Sequence, residues 1–324
     1  MSVLRVHLFG GVRVERDSVE GDLHLTRRVQ ELLAYLLLQP RTHPREVLAD
    51  LLWGEQDASH ARGCLSTTLW RLRRALADGG YADNLLVTTP AGEVGIDRGQ
   101  GVWLDVATFE SEARRVMRQS PNAANAADVA ALEGALCLYT GDLLEGFYDD
   151  WALRERERMR SLYLSSLHYL LRYYQHHNDP ARALACGASI LDLDPLREDI
   201  HRAVIRLHLA AGQRTLALRQ YDACRRLLAE ELGIDPMPET QQLLPLLAQT
   251  DPPDPPGPPK DSARQVEALR DEVQLLSEIL AELTHRLNRL VDEVERLSPS
   301  GSPHRPATPA PDPSRPSHRP KPQS

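Results

Sequence analysis

Lysine is nearly missing from this chain. Lys260 and Lys321 are its two, and arginine supplies the rest of the 38 basic residues, a bias that points to a GC-rich genome and not to a function. Cysteine is scarce and scattered. Cys64, Cys137, Cys186 and Cys224 form no CxxC pair, which excludes the usual zinc and redox spacings and fits a reducing compartment. There is no long apolar run. The longest, Leu32 to Leu38 with Tyr35 inside it, falls far short of the roughly 20 residues that span a bilayer. The first residues, MSVLRVHLFGG, lack the apolar core and small-residue cleavage site of a signal peptide. The expectation is a cytoplasmic, nucleoid-associated protein with no membrane partner. Catalytic signatures are missing too: no GxxxxGK[ST], GxSxG or HExxH occurs, and Gly10-Gly11 lacks the following helix of a phosphate loop. His176-His177 reads as a polar helix end and not as a metal site. No catalytic residue, metal or cofactor is assigned, and the chain is read as a non-enzyme.

What is present centres on Ala61 to Ala77, ARGCLSTTLWRLRRALA. Leu65, Leu69, Leu72 and Leu76 recur at helical spacing and make one apolar face. At about 100° per residue, Thr67, Trp70, Arg71 and Arg74 fall opposite, with Arg62, Ser66 and Arg73 on the flanks. No acid interrupts the segment before Asp78. A leucine back and an arginine/threonine front suit the DNA major groove, because arginine binds guanine O6 and N7 bidentately and its charge attracts phosphate. The formal net charge of −8 does not oppose this, since clustering of charge matters more than its total.

Around that segment the order of elements is strands, three helices, hairpin. Val3 to Phe9 alternates as a strand, Gly10-Gly11 turns, and Val12 to Glu15 returns as a second strand. Leu23-His24-Leu25 reads as a short third strand. Thr26 is the expected N-cap of a helix through Leu38, with Val29, Leu32, Leu33 and Leu36 inward. Pro44 opens a second helix, Arg45 to Trp53, expected to bury Val47, Leu48, Leu51 and Leu52. A polar loop, Glu55 to His60, follows, with Ser59 the expected cap of the arginine helix. Leu85 to Thr89, a Pro90-Ala91-Gly92 turn and Glu93 to Ile96 form a hairpin.

LFGGVRV, LLAYLLLQP, LADLLWG and LWRLRRAL, in this order, resemble an OmpR-type winged helix, the output domain of two-component regulators. More specifically they resemble the start of the antibiotic regulatory protein (SARP) family of actinobacteria. The resemblance implies that the third helix reads the major groove and the hairpin touches the minor groove or backbone. The implied DNA-binding residues are Arg62, Ser66, Thr67, Trp70, Arg71, Arg73, Arg74, Thr88 and Thr89. Glu55 and Asp57, in the loop where related winged helices meet a sigma factor, are the implied RNA polymerase contacts. No phosphoacceptor receiver precedes the winged helix, so phosphorylation control is not carried over.

From Val102 the pattern turns to dense helix with no strand signal: Asp105 to Met117, Ala123 to Tyr139, a turn region Gly141 to Trp151, then Ala152 to His176. Asn178-Asp179 and Gly212-Gln213 precede similar Ala-Leu pairs 34 residues apart, the tetratricopeptide (TPR) period. WALRERERMR, LDLDPLREDIHR and ALRQYDACRRLLAEELGIDP resemble the bacterial transcriptional activation domain that follows the winged helix in the same family.

DPPDPPGPP reads as a stiff linker. Beyond it Val266, Leu269, Val273, Leu276, Leu280, Leu283, Leu287, Leu290, Val294 and Leu297 alternate steps of three and four. Valine at a and leucine at d favour a two-stranded parallel coiled coil, with docking back on the helical domain as the alternative. From Ser298 the chain reads as disordered. The fold class expected is mainly α. Residues 1–100 form a winged helix with small β-sheets, 101–249 a TPR-like helical repeat domain, 250–262 a linker, 263–298 a coiled coil and 299–324 a tail. The function expected is a homodimeric activator that binds promoter direct repeats and helps recruit RNA polymerase, pathway-specific as in secondary metabolism. The competing reading is a protein-interaction scaffold whose winged helix no longer binds DNA.

Overall fold

The computed structural model describes residues 3–15, 22–79, 81, 85–99 and 101–248. The linker, the heptad seam and the tail lie outside the described residues. The chain is mainly helical, with a few small strands.

Strand β1 (Leu4–His7) pairs antiparallel with β2 (Arg13–Glu15), placing Val6 opposite Val14. The turn between them uses Gly10 and Gly11 at φ of 74° and 128°, which side chains rarely adopt. The third strand of this sheet is β5 (Val102–Leu104), parallel to β1, with Leu4 opposite Val102 and Val6 opposite Leu104. The sequence shows no strand signal there, because three residues are too few to display a period. Leu23-His24-Leu25 forms no strand. It contributes a bond from Leu23 N–H to the Val14 carbonyl, and Asp22 makes an isolated bridge to Glu15.

Helix α1 (Arg27–Leu38) buries Val29, Leu32, Leu33 and Leu36 as its spacing demands; Thr26 stands at the cap position without a side-chain capping bond. Helix α2 (Arg45–Trp53) buries Leu48 and Leu52 and half-buries Leu51, but Val47 is 48% exposed, one step off the inward stripe. Helix α3 (Ala58–Asp78) begins three residues before Ala61. The connection from α2 is therefore only Gly54 to Asp57, and not the longer loop read from the sequence. Its cap is Asp57, whose carboxylate accepts the N–H groups of Ser59 and His60, both at 3.0 Å; Ser59 lies inside the helix. The α3 leucines Leu65, Leu69, Leu72 and Leu76 are all buried.

Strands β3 (Leu86–Thr88) and β4 (Val94–Ile96) form the hairpin. It is pinned to the α1–α2 connection: His43 and Val94 exchange both backbone hydrogen bonds at 2.8 Å, and Thr42 Oγ1 donates to Glu93. A Cβ at Gly95 would stand 3.1 Å from the Arg41 carbonyl oxygen, a tight contact that a side chain here would have to push back by a few tenths of an ångström.

Helix α4 (Asp105–Val116) follows β5 directly. The single helix expected over Ala123 to Tyr139 is instead a 3-10 turn at Pro121–Ala123 and α5 (Ala126–Leu136), because Asn125 caps the latter by accepting Asp128 N–H. The loop 141–149 returns to β1, with Leu144 N–H donating to the Leu8 carbonyl. Arg156, on α6 (Asp150–His176), fastens that loop by donating to the carbonyls of Leu143, Leu144 and Phe147. Helices α7 (Pro180–Leu193), α8 (Glu198–Ala210) and α9 (Arg214–Leu232) follow, each packed on its predecessor, then short α10 (Pro238–Gln241) and α11 (Leu243–Ala248). Asn178, after α6, and Gly212, after α8, both have positive φ, 54° and 70°. One apolar core runs from Leu4 through Val204, so the N-terminal elements and the helical half share it.

Candidate nucleic-acid interface

Helix α3 carries its leucines into the core and leaves the opposite side open. Arg62, Ser66, Thr67, Trp70, Arg71, Arg73 and Arg74 are all exposed, Trp70 at 57%. The guanidinium groups of Arg62 and Arg71 make no ion pair among the described residues. Arg74 has a loose partner in Asp78 at 3.7 Å, both side chains about two-thirds exposed, and lies 5.5 Å from the Trp70 ring centroid. Such exposed pairs contribute little and release their cation readily.

The flanks are more engaged. Arg73 Nη2 donates to Thr88 Oγ1 at 2.8 Å, tying α3 to the hairpin. Thr89 Oγ1 accepts the Glu93 N–H and so shapes the turn. Ser66 Oγ donates to the Arg62 carbonyl and accepts from Arg45 Nη2 at 3.1 Å. Thr67 turns its hydroxyl back to the Gly63 carbonyl. The structure thus brings all seven α3 residues and Thr88 to one surface and adds Arg45, which the sequence did not single out. Its position directly after Pro44 was the signal available.

Glu55 is exposed in the short α2–α3 connection. Asp57 is occupied as the α3 cap. The N–H of His60, with that of Ser59, holds its carboxyl below the usual range. Reversing Asp57 would remove a cap, so Glu55 is the cleaner probe of a polymerase contact. The ten seam positions from Val266 to Leu297 lie outside the described residues.

Comparison with known proteins bears on both halves. The bacterial transcriptional activator domain matches residues 104–245. Regulatory protein AfsR of Streptomyces coelicolor is 32% identical over 254 residues, covering 77% of this chain. The chain is thus similar to regulators of the antibiotic regulatory protein family. It spans about a quarter of AfsR, 24% of that protein's length. It covers 71% of transcriptional regulatory protein MoaR1 of Mycobacterium tuberculosis, at 25% identity over 67% of this chain. The fold is also that of Mycobacterium tuberculosis EmbR, solved in complex with a low affinity phosphopeptide: the TM-score is 0.61 at 21% identity, over 85% of this chain and 71% of that one. Among the described residues, no helix is long and apolar enough to cross a membrane.

Proposed function

We propose that the chain is a sequence-specific transcriptional activator. Residues 1–100 act as a winged helix on promoter DNA, and the TPR-like helices of the activator domain, with Glu55, meet RNA polymerase. The observation that carries this reading is the exposed front of α3, with Arg62 and Arg71 unpaired among the described residues and Arg74 only loosely held, backed by four buried leucines. A pure scaffold has no use for such a face. The relatives named as regulators and the match to the activator domain support the same reading. Selection of bound duplexes from random-sequence DNA by the full chain, followed by footprinting, tests it. The expected result is a direct repeat protected on one face of the duplex. Binding that tracks only DNA length and salt would sink sequence specificity and favour the scaffold.

Two such units would act together through the heptad seam, which would form a helix roughly 48 Å long at about 1.5 Å per residue. Pairing raises the effective concentration of the second unit at paired half-sites. Leu276→Asp with Leu283→Asp would put unpaired charge into that seam, which is strongly unfavourable. Light scattering is expected to give a dimer mass for the full chain and a monomer mass for the double variant. Equal masses would mean that the seam does not assemble this protein.

A further inference from the structure

Beside the arginine front lies a cleft of about 670 Å³, between the start of α1, the end of α2 and the first half of α3. Arg28 and Arg71 line it together with the His60 imidazole, and its lining holds no acid. Arg28 is held from two sides. Its Nη1 pairs with Glu31 Oε2 at 2.7 Å, and its guanidinium lies 5.7 Å from the Trp53 ring centroid, leaving half of the side chain exposed. Glu31 is 1% exposed, and among the described residues its other oxygen, Oε1, receives no hydrogen bond from a basic or backbone donor. A buried carboxylate with a single cation partner is costly to keep, and it fixes that cation in place.

A second observation comes from Thr68. Ser66 and Thr67 turn their hydroxyls back onto carbonyls four residues earlier. Thr68 is 5% exposed, lines the cleft and makes no hydrogen bond among the described residues. A hydroxyl on that lining can donate to an occupant of the cleft. Two guanidinium groups, an imidazole and a hydroxyl without acids suit a tetrahedral oxyanion. Thr67 and Arg71 line the same cleft and belong to the α3 front, so the cleft opens at the edge of the proposed groove-reading face.

We propose that this cleft seats one backbone phosphate of the bound DNA, with Arg28 its principal donor and Glu31 the residue that positions Arg28. This rests on the DNA-binding reading above and adds α1 to the contacts of α3. A phosphate contact fixes register without reading a base.

The test uses the full chain and a duplex selected by it from random-sequence DNA, with affinity followed across salt concentration. Arg28→Gln is expected to weaken binding about tenfold, the scale of one charge-assisted hydrogen bond. It should do so equally on an unrelated duplex and lower the salt slope by about one. Because Arg28→Gln leaves Glu31 alone in its buried site, Arg28→Gln/Glu31→Gln, checked by its melting profile, is measured beside it with the same expected loss. A scan of single methylphosphonates should find one position that weakens wild type and leaves the double variant unchanged. Unaltered affinity and slope in the double variant, while Arg71→Ala/Arg74→Ala loses binding, overturns the seat and leaves DNA binding standing. Inorganic phosphate that stabilises the DNA-free chain through Arg28, with DNA affinity unmoved by its loss, marks a free-anion site and overturns the proposal. A wild-type chain that selects no duplex overturns both readings.

Discussion

Arg71→Ala with Arg74→Ala is expected to leave the chain folded and to erase its preference for its operator. Both side chains are exposed, and the leucines that hold α3 to the core are untouched, so the stability change should stay within about 0.5 kcal/mol. A bidentate arginine–guanine pair is worth about 1–3 kcal/mol of discrimination, so losing both should cut specific affinity by roughly one to four powers of ten. The competing contacts of these residues are weak. Arg74 gives up an exposed 3.7 Å ion pair, and Arg71 gives up no ion pair among the described residues. Arg73 should behave differently, since it already leans on Thr88; Arg73→Ala is expected to weaken all sequences alike as a phosphate contact does. Gel-shift titration of the selected duplex against a scrambled one separates these outcomes. A folded double variant that still prefers the selected duplex would mean that α3 presents another face to DNA.

The face of α3 is legible because its leucines repeat at the helical period, and the period alone settles which residues point away from the core. Its start is not. Asp57 and Ser59 are both good caps, and local propensity does not rank them; in the structure Asp57 reaches two N–H groups and the helix gains residues 58–60. Strand β5 is invisible for a different reason: its three residues pair with a strand about a hundred positions earlier, and nothing local announces that partner. Val47 is misplaced because α2 is short, and a stripe one residue too wide fits its pattern equally well. Glu31 stands in the sequence as one polar residue in an apolar helix. Its burial is decided by tertiary neighbours; the desolvation raises its pKa against the pull of Arg28, and Asp149 at the start of α6 adds to the rise. The Arg28 site could therefore not be read before the two halves were seen packed together.

Asp105→Ala is expected to be the most damaging single substitution away from the DNA-facing surface. Asp105 is 1% exposed and joins the end of β1 to the start of α4. Its Oδ2 accepts the N–H groups of Leu8 at 2.8 Å and Phe9 at 3.1 Å, and its Oδ1 accepts its neighbour Val106 N–H at 2.7 Å. Alanine would orphan the Leu8 and Phe9 donors in the core, at about 1–3 kcal/mol each, so a loss of roughly 2–6 kcal/mol in urea unfolding is expected. Asp105→Asn keeps an acceptor and should lose less. Titration gives a second, independent readout. Desolvation raises the Asp105 pKa above its ordinary 3.8 although all three N–H groups pull it down. A carboxyl whose folded pKa is raised favours folding more as pH falls through that value toward the unfolded one. Wild type should therefore gain on Asp105→Asn as pH is lowered from 7 toward about 4; Asp128 and Asp199, whose carboxyls are held low by Arg115 and Arg197, withdraw their stabilisation from both proteins only below that range. A gap between the two proteins that stays constant over this range would mean that the three N–H groups, and not burial, govern this carboxylate.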